Sequence, residues 1–279
     1  MVLTKSRVSI VKGQNVGQML QETFETLNCD NLVEPGERVL VKPNCISPKP
    51  PESGVTTDLR IIEVAVNKVQ ELKGDALIGD GGWGDTDRAF EAVGLKDLAD
   101  RMGVDLIDLN EDERVNIKIP KSTALQEAGI AKTVLDVDAI INVPKLKVHH
   151  LALVTLSMKN LMGCMLPKSI MHTRINEKIV DLASIFKDKV VLNIIDGTVG
   201  SEVDEVHGEP VEMNLVIAGR DMVAVDAVGA SVMGIDPSDV RYLGLADQRG
   251  LGRSRLSDIE IVGESIEDVQ KRFKRPKGF

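Results

Sequence analysis

A chain of 279 residues with 34 Lys+Arg against 43 Asp+Glu carries a formal net charge of −9, and it holds one Trp, one Tyr and five Phe. The length fits one large domain or two small ones, and an acidic chain this poor in aromatic rings offers neither the counterion-release drive nor the stacking surface that nucleic acid requires. No apolar run approaches the roughly eighteen residues of a membrane span, Met1–Gly13 lacks the apolar core of a signal peptide, and a cytoplasmic protein with no membrane partner is expected.

In chain order, the aliphatic runs Val8–Val11, Arg38–Val41, Ala76–Ile78, Val104–Ile107, Ala139–Val143, Val190–Ile195, Leu215–Ala218 and Ile259–Val262 read as strands. Between them, Val16–Leu27, Leu59–Leu72, Thr86–Val93, Thr155–Met162, Thr173–Phe186, Met222–Met233 and Pro237–Gln248 carry apolar residues at three- and four-residue spacing and read as helices. The alternation predicts an α/β fold, a mostly parallel sheet flanked by helices. It is read as a single domain over residues 1–279, divisible into two α/β lobes that would meet near residues 110–140 with a cleft between them. The three prolines of Ser47–Gly54 exclude helix and central strand there.

Ligand chemistry in such a sheet gathers just beyond the strand ends. The residues found there are Lys42-Pro-Asn-Cys45, Gly79-Asp-Gly-Gly82, Pro144-Lys-Leu-Lys147, Asp196-Gly197 and Gly219-Arg-Asp221. Gly79–Gly84 also matches the GxGxxG dinucleotide pattern. Asp80, Asp85 and Asp87 crowd that loop, however, and carboxylates beside a helix start oppose a pyrophosphate. A tight strand-to-helix turn is the preferred reading, with Asp85 as helix N-cap, Gly81 and Gly82 beside a ligand, and Asp80 as a ligand- or metal-binding carboxylate. Asp196 is a second carboxylate of the same kind.

Charge is unevenly spread. No acidic residue falls between Asp138 and Glu177, an interval holding Lys145, Lys147, Lys159, Lys168, Arg174, His149, His150 and His172. Those 38 residues carry +5 and the other 241 carry −14, which describes an anion-binding segment within an acidic body. Thr155–Cys164 reads as a short helix with Thr155, Lys159 and Gly163 on one face and Asn160 and Cys164 on the next. That face either looks into a cleft, where Lys159 and Thr155 bind a carboxylate or phosphate, or leaves Lys159 solvated; helical spacing does not choose. His149-His150 suits proton transfer or metal ligation. Neighbours in an extended strand point opposite ways, so one of the two is expected at a given site. His172, and His207 in the acidic loop Ser201–Glu209, rank below them. Cys29, Cys45 and Cys164 are too few and too widely spaced for a disulfide framework or a CxxC motif.

The motifs Val41-Lys-Pro-Asn44, Gly79-Asp-Gly-Gly82, Val143-Pro-Lys-Leu-Lys-Val-His-His150, Met158-Lys-Asn-Leu-Met-Gly163, Ile195-Asp-Gly197, Ala218-Gly-Arg-Asp-Met-Val-Ala-Val-Asp226 and Met233-Gly-Ile-Asp-Pro237 occur in one order. Together they resemble the family catalogued as domain of unknown function 362, over about Val8–Gly263. Many members of that family are fused to ferredoxin-type modules, and this chain has no CxxCxxC cluster motif. The order His149-His150, Thr155, Lys159 is more distantly similar to the lactate-racemase catalytic family, which engages a nickel pincer cofactor. The spacing after His150 and the glycine-rich loop differ from that family, so no ligand set carries across.

The expectation is an enzyme-like α/β protein acting on a small anionic ligand, a carboxylate or phosphate, by isomerase-like acid/base or oxidoreductase-like chemistry. Lys42, Asn44, Lys145 and Lys159 would position the anion with Gly81, Gly82, Lys147, Thr155 and Asn160, while His149 or His150 serves as acid/base or metal ligand. The alternative is an electron-transfer partner carrying a divalent metal or iron–sulfur cluster. It would use Cys45 and Cys164, with Asp80 and Asp196 as further ligands, in a homodimer or with a ferredoxin-type redox partner. Packing is the commoner fate of a buried cysteine.

Overall fold

The computed structural model describes residues 5–279, so the first four positions of the Met1–Gly13 reading lie outside the described residues. The chain begins with β1 (Ser6–Lys12), α1 (Val16–Thr26), β2 (Arg38–Lys42), α2 (Leu59–Glu71), β3 (Asp75–Asp80), α3 (Thr86–Val93), α4 (Leu95–Met102) and β4 (Asp105–Asp108). The middle holds β5 (Arg114–Lys118), β6 (Glu127–Ala131), α5 (Lys132–Asp136), β7 (Ala139–Asn142), β8 (Lys145–His149), β9 (Leu153–Thr155), α6 (Ser157–Asn160), β10 (Met165–Leu166) and α7 (Ile175–Phe186). Then come β11 (Val190–Glu202), β12 (Glu209–Gly219), α8 (Met222–Val232), α9 (Arg241–Gln248), β13 (Ile259–Gly263) and α10 (Ile266–Val269).

Short polar side chains start the helices by accepting orphan amides. Asn15 accepts from Gln18 N–H at 3.1 Å, Asp58 from Arg60 N–H at 2.9 Å, and Asp85 from Arg88 N–H at 2.9 Å, so Asp85 is the N-cap the sequence indicates.

The main sheet is mixed, in the order β13-β1-β12-β11-β7-β2-β3-β4, with β8 on β11 and β9 on β8. From β11 to β4 the strands run parallel, whereas β12 is antiparallel to both β11 and β1. The 110–140 interval contains β5 and β6, which form a separate antiparallel sheet with β10. Side-chain alternation sorts the core onto the two faces of the main sheet. Leu40 and Ile140 join the apolar cluster with α7, α8 and α9, while Val39, Val41, Ala139 and Ile141 join the other with α1 and α2. Helix α8 is buried along its whole length, Asp226 included, and is accordingly apolar on every side.

Two helices are shorter than their apolar spacing implies. Thr155 does not open a helix; it ends β9, paired with Lys147 of β8, and only Ser157–Asn160 is α-helical before a 3-10 turn at Leu161–Cys164. Thr155, Lys159 and Gly163 therefore do not share a helical face. Val240 is extended and divides Pro237–Gln248 into a 3-10 turn and α9.

Candidate functional site

Strands β2, β3 and β7 end in register, with Lys42 opposite Asn142 and Asp80 closing β3. Lys42 Nζ donates to Asp80 Oδ1 at 2.6 Å, and Asp80 Oδ2 accepts from Cys45 N–H at 2.7 Å. A second buried pair lies on the far side of β7, Lys145 Nζ to Asp196 Oδ2 at 2.6 Å, with the Asp58 N–H and the Thr198 backbone and hydroxyl also donating to that carboxylate. The expected anion ligands Lys42 and Lys145, and the expected metal carboxylates Asp80 and Asp196, thus satisfy each other. Each pair bolts loop to strand end.

A chain of amides links these ends. Lys147 Nζ donates to Asn44 Oδ1 at 2.9 Å and to the Val55 carbonyl at 2.9 Å. Lysine offers only donors, so Asn44 must turn its oxygen to Lys147 and its nitrogen onward. Asn44 Nδ2 donates to Asn160 Oδ1 at 2.8 Å, Asn160 Nδ2 to Asn142 Oδ1 at 2.8 Å, and Asn142 Nδ2 to Asn193 Oδ1 at 3.0 Å. One lysine thereby fixes the sense of four amides.

Over this floor lies a cavity of about 380 Å³. Of the expected residues, Asn44, Asp80, Gly81, Gly82, Lys147, His149, His150, Thr155, Lys159 and Asn160 line it; Lys42, Lys145, Asp196, Cys45 and Cys164 do not. Lys159 is 8% exposed and Thr155 4% exposed. The Thr155 hydroxyl has no hydrogen-bond partner among the described residues. Lys159 has no ion pair or hydrogen bond there either, and burial, opposed by the Glu205 charge, pushes its ammonium down to about 8. Burial, helped by the Lys159 charge, pushes Lys147 down to about 7, and Lys168 at the cavity edge is pushed down to about 8, chiefly by burial.

Helix α6 is presented to the cavity from behind. Asp226 of α8 accepts from Ser157 N–H at 2.6 Å, Met158 N–H at 3.1 Å and the Tyr242 hydroxyl at 3.1 Å, and burial pushes its carboxyl up to about 7. Close approach also demands glycine at two places. A Cβ on Gly163 would lie 2.2 Å from Asp80 Oδ1 and 2.8 Å from Lys42 Nζ; one on Gly82 would lie 2.7 Å from the Cys45 carbonyl.

Both adjacent histidines line the cavity, because β8 ends at His149 and the chain turns there. Nδ1 of His149 accepts the Leu151 and Ala152 amides at 3.0 and 3.3 Å, which leaves the ring proton on Nε2. Burial and then the Lys159 charge drive this ring far below the ordinary imidazole range, so it is neutral. Nδ1 of His150 lies 2.5 Å from Glu205 Oε1. A carboxylate only accepts, so Nδ1 carries a proton here, and in the neutral ring Nε2 is the acceptor. The two rings stack with centroids 4.8 Å apart. With both rings neutral they hold opposite tautomers, one with a donor and the other with an acceptor at Nε2.

His149, His150 and Glu205 also form a group whose ligand atoms lie within 4.8 Å of one another and could hold a metal ion. Its fit is imperfect at His149, whose Nε2 would first have to surrender its proton. Cys45 and Cys164 do not serve here: they belong to the two separate apolar clusters, and burial pushes each thiol up to about 12, against the thiolate a metal requires.

Glu205, Trp83, Lys168 and His172 belong to the cavity and were not assigned to it from the sequence. The acidic loop Ser201–Glu209 opposite a carboxylate-free segment was the available signal for Glu205. Pairing by charge complementarity would have chosen that loop, though not which of its four acidic residues.

Taken together, the structure defines a mixed α/β protein whose parallel strands end at a cavity rich in buried lysine, histidine and amide side chains. The family model "Domain of unknown function (DUF362)" matches residues 39–231, and the chain belongs to that family. The Thylakoid-associated protein sll1697 of Synechocystis sp. (strain ATCC 27184 / PCC 6803 / Kazusa) is 28% identical, covering 88% of this chain and 78% of that protein. Among solved structures, the lactate racemase apoprotein from Thermoanaerobacterium thermosaccharolyticum is distantly similar, with a TM-score of 0.45 and 13% identity over 84% of this chain. This chain spans 58% of that protein's length.

Proposed function

We propose that the cavity binds a small carboxylate or phosphate and moves a proton on it, so that the chain is an enzyme with isomerase-like chemistry. The observation that carries this is two groups lining one cavity with no partner among the described residues, the buried Thr155 hydroxyl and the ammonium of the largely buried Lys159. A buried cation without an acceptor is costly unless something supplies one. An anion does so, and it accepts from the threonine hydroxyl as well.

The histidines then divide the work. Nε2 of His150 takes a proton from the carbon next to the anion's carboxylate or carbonyl, Glu205 stabilises the imidazolium so formed, and the same nitrogen returns the proton to carbon in the isomerised product, which restores the neutral ring. Nε2–H of His149 donates to the oxygen where negative charge develops, which a neutral imidazole can do without itself being deprotonated. Lys147, with two of its three donor positions held by Asn44 and Val55, turns the third to the ligand.

Calorimetric titration of inorganic phosphate and of acetate tests the reading. Lys159→Met should weaken whichever anion binds by about tenfold or more, the loss expected for a charged hydrogen bond. Equal affinity in both proteins rejects it.

A second reading is favoured by the His149, His150 and Glu205 convergence: a divalent metal held at the same end of the cavity. Equilibrium dialysis with Zn(II) or Ni(II) distinguishes them, since one equivalent retained by the wild type and lost in Glu205→Gln supports the metal. The electron-carrier reading through Cys45 and Cys164 draws no support from two protonated thiols in separate apolar clusters.

A further inference from the structure

Polar Lys147, Thr155 and Lys159 are buried in the cavity lining together with apolar Ile175 and Met162, and Ile46, Leu151 and Val206 are half-buried there. The lining thus offers both hydrogen-bond donors and apolar surface to one occupant.

Trp83 is the chain's single tryptophan, and it stands 58% exposed at the mouth. It is nevertheless held in place. Its backbone N–H donates to the Ile46 carbonyl at 3.0 Å, its ring centroid lies 5.5 Å from that of His172, and Gly82 before it has no room for a side chain. A large ring fixed by its backbone but left open to water is a surface prepared for a partner. The volume of about 380 Å³ also exceeds what a lone inorganic anion fills.

We propose that the ligand is an amphipathic anion, a carboxylate or phosphate head on a planar apolar body. The head reaches Lys159 and Thr155, and the body lies against Trp83, Ile46 and Leu151. This rests on the anion reading above and adds the chemical class of the ligand. Aromatic packing of this kind contributes on the order of a factor of ten in affinity.

The probes are matched by head group: acetate with benzoate, and inorganic phosphate with phenyl phosphate. Binding is followed by calorimetry and by the emission of Trp83, which as the sole tryptophan reports from the cavity mouth alone. The aromatic member of a pair should bind about tenfold more tightly and shift the emission. Trp83→Ala should remove most of that advantage while leaving the small anion's affinity unchanged. Equal affinity within both pairs, or an advantage that survives Trp83→Ala, overturns the amphipathic ligand and leaves the anion site standing. Failure of all four probes to bind overturns both.

Discussion

Two sets of buried lysines lie side by side in this molecule and have opposite surroundings. Among the described residues, Lys42 and Lys145 each meet a carboxylate at 2.6 Å, while Lys147 meets only amide and carbonyl oxygens and Lys159 has no ion pair or hydrogen bond. The first set closes strand ends upon loops and is structural. The second lies where burial disfavours the charge, lowering Lys147 to about 7 and Lys159 to about 8, and the difference separates a cation that completes the fold from one whose charge the fold does not offset. Composition treats all four alike; the partner makes the distinction.

The contrast is broken most forcefully by removing a structural lysine. Lys145→Met strands the Asp196 carboxylate in the interior and should cost about 3–5 kcal/mol in urea denaturation. Lys159→Met should hold or raise stability in the same experiment, because it removes an unpaired buried charge. Similar losses in both would erase the division.

Asp226 is the acidic counterpart of Lys159, a buried carboxyl with no ion pair among the described residues. Its oxygens are filled by three donors, however, so Asp226→Asn puts an N–H against at least one of them and should cost about 1–3 kcal/mol. Because Asp226 holds the α6 amides of Ser157 and Met158, and α6 carries Lys159, the substitution should also weaken anion affinity read by calorimetry. Unchanged affinity would limit Asp226 to stability.

The smallest effect is in pH. Lys159 and Lys168 are lowered to about 8 from 10.5, so between those values the unfolded chain binds more protons than the folded one. Their contribution to stability therefore rises with pH across that window and is unfavourable below it. An anion draws the proton back onto Lys159, so binding near pH 8–9 should take up protons. Calorimetry in buffers of different ionisation enthalpy measures this, and Lys159→Met should reduce the uptake.

The strands of the main sheet with uniform aliphatic sequence were legible, because burial on both faces leaves its mark in composition. Strand β8, Lys-Leu-Lys-Val-His, was not read as one. All five of its residues are buried, but the partners that allow it, Asp196 and Asn44, are remote in sequence. For the same reason Thr155 was placed on a helix: its apolar spacing continues into α6, and only pairing with Lys147 makes it a strand residue. The cationic segment itself was legible from the missing carboxylates. Which of its lysines would be free was not, since Lys145 and Lys147 sit two residues apart in one strand and meet different fates.

The cavity wall is gathered from residues near 44, 80, 150–175 and 205. No local piece of chain owns it, so an occupant clasps the strands of both halves of the sequence at once. Its protection against amide exchange should accordingly spread through β2, β3 and β8, and slow the opening of the sheet as a whole, instead of quieting one loop.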